Sequence, residues 1–208
     1  MKLVKTLLAS VALAATMGAN AAITGSLGGG YGTFLSLSAP GSCVGGCTLG
    51  GIGTISGGSI EVDDLPFADI PAGAIFENRF LAAGPTSGSP STISFGGGGV
   101  DYISFLWGSP DIYNRLTVVG TESGSNSFTA SSLSFAVTNG DQSFSQYVQF
   151  SGSATDKIVS LIFMNDPSVN AFETANYSIT PIPEPETYAL MLAGLGAMGF
   201  VARRRKKA

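Results

Sequence analysis

The sequence predicts an all-β fold, a single sandwich or jelly roll, on three observations. Glycine, serine and threonine are abundant, and the 29 glycines among 208 residues supply frequent turns. No stretch shows the i, i+3, i+4, i+7 apolar spacing of a long amphipathic helix. Short apolar or alternating runs recur instead at intervals of about ten residues, the pattern of many short strands packed in two layers.

Taken in order, Tyr31 to Ser38 alternates loosely and suits a half-buried strand. Ile52, Ile55, Ile60 and Val62 sit in a glycine-rich stretch that can supply short strands. Gly73 to Leu81 is a further candidate, with Ile75, Phe76 and Phe80 apolar. Gly84 to Pro90 is a loop and Gly96 to Gly99 a turn. Val100 to Trp107 is the clearest strand, followed by Leu116 to Val119, Ser131 to Thr138, Gln146 to Gly152, Ile158 to Met164 and Asn176 to Thr180. The nearly continuous apolar run from Lys157 to Met164 predicts a central position in a sheet.

Both ends read as targeting segments outside the folded domain. Met1 to Lys5 is a basic start, Thr6 to Met17 is small and apolar, and Ala19-Asn20-Ala21 fits a cleavage site. Residues 1–21 are therefore expected to be a signal peptide for Sec export and signal peptidase, with the mature chain starting near Ala22; a retained N-terminal anchor is the competing reading. At the other end, Thr180 to Glu186 is a proline-rich linker, and Tyr188 to Ala202 carries no charge. A spanning helix needs about 20 apolar residues and about 17 is the short limit, so 188–202 is a short span. Gly194, Gly196 and Gly199 permit close packing on another helix. Arg203, Arg204, Arg205, Lys206 and Lys207 form a basic stop that stays on the cytoplasmic side. A buried core helix and a plain single-pass anchor are the alternatives. The domain is then 22–180 and the tail 181–208.

The net charge of −4 conceals a division. Residues 22–182 hold twelve acids against Arg79, Arg115 and Lys157, a net charge of −9. Such a surface repels phosphate backbones, which argues against nucleic-acid binding. Cys43 and Cys47 are the two cysteines, and the glycines between them allow a small disulfide loop. Free thiols, or metal or redox work, are the alternatives; a metal lacks further ligands because the chain has no histidine.

Without histidine, Ser-His-Asp and Cys-His catalysis cannot be assembled, and no enzyme activity is expected. A carboxylate pair for glycoside hydrolysis cannot be picked from the scattered acids. No cofactor is expected. Calcium is the one ion the acids can take, through Asp63, Asp64 and Asp69 or through Asp101 and Asp111, yet no EF-hand spacing supports it. Trp107-Gly108-Ser109-Pro110-Asp111 is a good turn, with Pro110 fixing φ, so Trp107 and Tyr113 suit a packed corner. The functional alternative is a shallow sugar site in which Trp107 and Tyr113 stack on a pyranose while Asp111, Asn114 and Arg115 bond hydroxyls.

Pro183-Glu184-Pro185, the apolar segment and the basic cluster together resemble the PEP-CTERM sorting signal of Gram-negative bacteria. The resemblance implies that Pro183, Glu184 and Pro185 are read by an exosortase-type membrane protease. It implies a chain held briefly in the inner membrane, cut, and passed to the envelope, surface or extracellular matrix, in cells that make exopolysaccharide or biofilm. Within the domain, Val100 to Thr117 resembles the central segment of one family of exosortase-dependent surface proteins, and the likeness extends loosely over 65–180. Those proteins often end their domain in Phe-Glu-x-Asp-Asn; here Phe172-Glu173-Thr174-Ala175-Asn176 puts alanine at the aspartate. The resemblance implies a non-enzymatic surface or matrix protein. A carbohydrate-binding module for the cell's own polysaccharide is the alternative, and an uncleaved single-pass membrane protein is another.

Overall fold

The computed structural model describes residues 23–179, 193–195 and 198. Fourteen strands are present among them. The first seven are β1 (Thr24–Leu27), β2 (Phe34–Leu35), β3 (Gly41–Ser42), β4 (Cys47–Leu49), β5 (Gly53–Ser56), β6 (Ser59–Glu61) and β7 (Phe80–Ala83). The rest are β8 (Ser91–Phe95), β9 (Tyr102–Gly108), β10 (Asn114–Gly120), β11 (Gly124–Phe128), β12 (Ser145–Ser151), β13 (Ile158–Asn165) and β14 (Phe172–Ser178). They form two antiparallel sheets stacked as a β-sandwich. The larger runs β1-β12-β9-β14-β7-β6-β3, with β2 added on β14; the smaller runs β11-β10-β13-β8-β5-β4.

The core lies between the sheets and is built by the inward side chains of each alternating strand. In β10, Leu116 and Val118 are buried while Arg115, Thr117 and Val119 are half-exposed. Aromatic rings join the layers: Phe105 of β9 meets Phe163 of β13 edge-on at 5.5 Å, and Phe150 of β12 meets Phe128 of β11 at 5.0 Å. Such pairs add to the stabilisation from burial alone. The run at Ile158–Asn165 lies between β10 and β8, inside the smaller sheet as its composition predicts.

β9 and β14 are buried along their whole length because the larger sheet is covered on its outer side too. A strap over residues 64–74 supplies Ala68, Phe67, Ile70 and Ala74, which pack on Phe80, Ala82, Ala171 and Ala175. Ala171 N–H donates to Phe67 O at 3.0 Å. Ala175, at the place of the aspartate in the resembling family, thus belongs to an apolar contact.

Two expected strands are turns instead. In Gly73 to Leu81, Phe76, Glu77 and Asn78 have φ of 57°, 61° and 61°, and the strand begins only at Phe80. In Ser131 to Thr138, local hydroxyl bonds win over a sheet ladder. Thr129 N–H donates to Ser132 Oγ at 2.9 Å, Ser132 N–H donates to Thr129 Oγ1 at 3.1 Å, and Ser134 has φ of 64°. Of Tyr31 to Ser38, only Phe34–Leu35 is strand, with Leu37 bridging to Leu49.

Candidate functional site

The segment from Trp107 to Asn114 forms a corner between the sheets. β9 ends at Gly108, Ser109 turns with φ of 39°, and β10 starts at Asn114 in the opposite layer. Trp107 is fully buried, stacked on Phe172 at 4.3 Å and edge-on to Phe135 at 5.1 Å. Asn114, also fully buried, accepts at Oδ1 from Asp111 N–H (2.7 Å) and from Trp107 Nε1–H (3.4 Å). Its Nδ2 donates to Asn165 Oδ1 at 2.9 Å, and Asn165 Nδ2 donates to the carbonyls of Ala83 and Asn170. The Trp107, Asn114 and Asn165 side chains therefore form one connected polar network, beside the buried and unpartnered Ser109 Oγ. Trp107 has no exposed face and Asn114 no unused oxygen, as in the packed corner that the turn suggests rather than in the alternative sugar site. Asp111 and Tyr113 stay half-exposed at the rim, and Arg115 faces the outer side of the smaller sheet opposite Met164.

Next to this corner is a group of acids around Glu173. Glu173 on β14 lies beneath the strap, 3% exposed, with Oε2 unpartnered. Burial raises its carboxyl well above the usual glutamate range, and the charges of Asp69 and Asp111 push the same way. Burial and the neighbouring Asp64 also raise Asp69. Burial and the hydrogen bond to Asp111 raise the Tyr113 phenol. Of the acids suggested for calcium, Asp64 neighbours Asp69, whereas Asp101 and Asp111 flank opposite ends of β9. Asp101 precedes β9 and pairs with Lys157, whereas Asp111 follows the other end of that strand. Asp64 Oδ1 accepts from Ile70 N–H at 2.8 Å. Among the described residues, no group of three or more Asp, Glu or Cys is placed to hold a metal ion.

Cys43 and Cys47 are disulfide-bonded. The bond closes the connection from β3 in the larger sheet to β4 in the smaller. The return crossing, β5 to β6, passes through Gly57 and Gly58, and the two crossings bond each other: Cys43 N–H donates to Gly58 O (2.9 Å) and Gly57 N–H to Cys43 O (3.2 Å). A Cβ on Gly57 would lie 2.3 Å from Pro90 O, so only glycine turns this corner.

The sequence did not single out the outer face of the larger sheet around Tyr147. Asn176 is a bulge residue with φ of 53°, a conformation asparagine tolerates. The bulge turns its side chain outward. Its Oδ1 accepts from Ile75 N–H at 2.9 Å, and its Nδ2 donates to Gly73 O and Tyr147 Oη, both at 2.8 Å. From the other side, Phe34 approaches the Tyr147 ring at 6.5 Å, and Gly30 lies on that ring so closely that a Cβ would come within 2.5 Å of it. The nearest sequence signal was Tyr31-Gly32-Thr33-Phe34 after three glycines, an aromatic pair on a chain free to lie flat.

The expected signal peptide at 1–21, the motif Pro183, Glu184 and Pro185, and the basic stop Arg203 to Lys207 lie outside the described residues. Within the expected span, 193–195 and 198 are helical. No helix among the described residues is long and apolar enough to cross a membrane. No curated protein and no solved structure matches the chain. The family model described as the PEP-CTERM protein-sorting motif matches residues 181–206. The chain thus carries a PEP-CTERM protein-sorting motif at its C-terminal end.

Proposed function

We propose that this chain is a non-enzymatic surface or matrix protein of an exopolysaccharide-producing cell, delivered by cleavage of its own tail. Residues 1–21 direct export and are removed. Residues 188–202 hold the chain in the inner membrane with Arg203 to Lys207 on the cytoplasmic side, and an exosortase cuts near Pro183–Pro185. The match of the sorting motif to 181–206 carries this reading. The architecture agrees with it: β14 ends at Ser178, so a cut at the motif leaves all fourteen described strands on the released side. The missing histidine and the connected network at Trp107 and Asn114 favour a structural role over catalysis.

Intact mass of the protein from envelope and medium, with and without the exosortase, tests the proposal. The expected form starts near Ala22 and lacks everything beyond about Pro185, in cells with the enzyme only. A chain that keeps Arg203 to Ala208 in both strains would overturn it.

A further inference from the structure

We infer that the outer face around Tyr147 binds neutral polysaccharide; the inference rests on the matrix reading for where the domain meets such a polymer. Two loops converge there. In the first, Phe76, Glu77 and Asn78 are three consecutive left-handed residues, none of them glycine. Each is disfavoured against a right-handed conformation, and such strain persists where neighbours over-determine it, often at binding sites. Here the neighbours are Asn176, which captures Ile75 and Gly73, and Arg79, which pairs with Glu77 at 3.5 Å and donates from Nη1 to Leu37 O at 3.0 Å. The product is an apolar pair held toward solvent, with Ile75 38% and Phe76 40% exposed.

In the second loop, Gly28, Gly29 and Gly30 all have positive φ, which lays the backbone on Ser104 and the Tyr147 ring. Tyr31 follows, 53% exposed, its carbonyl held by Ser178 Oγ at 2.6 Å. Tyr147 lies between the loops. Its Oη accepts from Asn176, and its own proton has no acceptor among the described residues. The surface therefore offers rings and a phenolic donor together. A pyranose presents the complement, an apolar C–H face with a rim of hydroxyls. Charge selects among polysaccharides: Glu77 and Arg79 cancel locally, while the −9 of residues 22–182 repels a polyanion.

The test is affinity electrophoresis of the full chain in detergent, through gels cast with soluble β-glucan, mannan, dextran or alginate. At least one neutral gel is expected to retard the protein and alginate is not, with no loss of retardation on adding salt. Tyr31→Ala and Phe76→Ala should each weaken that retardation at least tenfold, Phe76→Tyr should keep it, and Val44→Ala on the disulfide loop should leave it unchanged. Fluorescence of buried Trp107 reports that each variant is folded. Migration unretarded in every neutral gel, or equal retardation of both alanine variants and the parent, overturns the inference. So does a change in light-scattering mass of those variants without a change in retardation, which would make the face a contact between copies. The sorting proposal is judged by mass alone, so either can fail without the other.

Discussion

Asn114 satisfies three groups that have no other hydrogen-bond partner among the described residues. Asn114→Ala would strand the Trp107 indole N–H, the Asp111 amide and the Asn165 carbonyl oxygen together. A buried polar group without a partner costs about 1–3 kcal/mol, and partial relaxation makes the expected loss about 2–4 kcal/mol in urea unfolding. Loss of less than about 1 kcal/mol would show that the network does not hold the corner. Glu173 makes a prediction of opposite character. Its carboxyl keeps a proton in the fold where the unfolded chain, with an ordinary value of 4.5, has released it. The fold is therefore strongest below about pH 4.5 on this group's account, and that contribution is lost as pH rises through the raised value. Asp156 works the other way. The Ser123 hydroxyl and the Glu122 and Ser123 amides lower it, so its contribution is present above the ordinary 3.8 and lost as pH falls. Melting curves across pH 3 to 9 should show Glu173→Gln flattening the decline on the rising side and leaving the acid side intact. Asp156→Asn should do the reverse.

The two crossings between the sheets, β3 to β4 and β5 to β6, are fastened to each other. Cys43 is buried in the core and bonded through its backbone to the Gly57–Gly58 return, so the disulfide fastens two crossings at one point. The closed loop has five residues, and loop entropy alone gives about 2 kcal/mol. Cys43→Ser with Cys47→Ser should lower stability by about that amount and leave the β-sheet circular dichroism unchanged; loss of the sheet signal would give the bond a larger role. The same elements explain what could be read in the sequence. β9 and β13 announce themselves because their residues are apolar for reasons of burial. β11, Gly-Ser-Asn-Ser-Phe, is an edge strand with one apolar residue, and its pairing is dictated by β10 rather than by its own composition. Gly73 to Leu81 looks like a strand since Ile75, Phe76 and Phe80 are apolar, yet Asn176, about a hundred residues away, takes the Ile75 amide. That capture is non-local, and no local pattern encodes it. Trp107 and Asn114 were legible as a special place, and the turn chemistry of Ser109-Pro110-Asp111 pointed to a corner. Whether the indole faced a sugar or a core depended on Phe135 and Phe172, which only the packing brings near.

For the whole molecule, the proposed division between a folded domain and a sorting tail makes a stability prediction. β14, which ends at Ser178, lies inside the larger sheet between β9 and β7, and β2 pairs with its last two residues. Tyr177 is fully buried against Phe105, ring to ring at 5.5 Å, so the fold needs the chain at least to that point. The sorting-motif match begins at residue 181, after Ile179, which still packs on the core. A chain ended after Glu186 should therefore melt within about 2 °C of the full chain in the same detergent, since a change of 1 kcal/mol moves a domain of this size by about 2–4 °C. A chain ended after Asn170 loses β14, and with it the partner of β9, β7 and β2 at once; it should show no cooperative transition. If removal of the tail alone abolished the transition, the tail would be part of the fold, and cleavage at Pro183–Pro185 would destroy the product it is proposed to release.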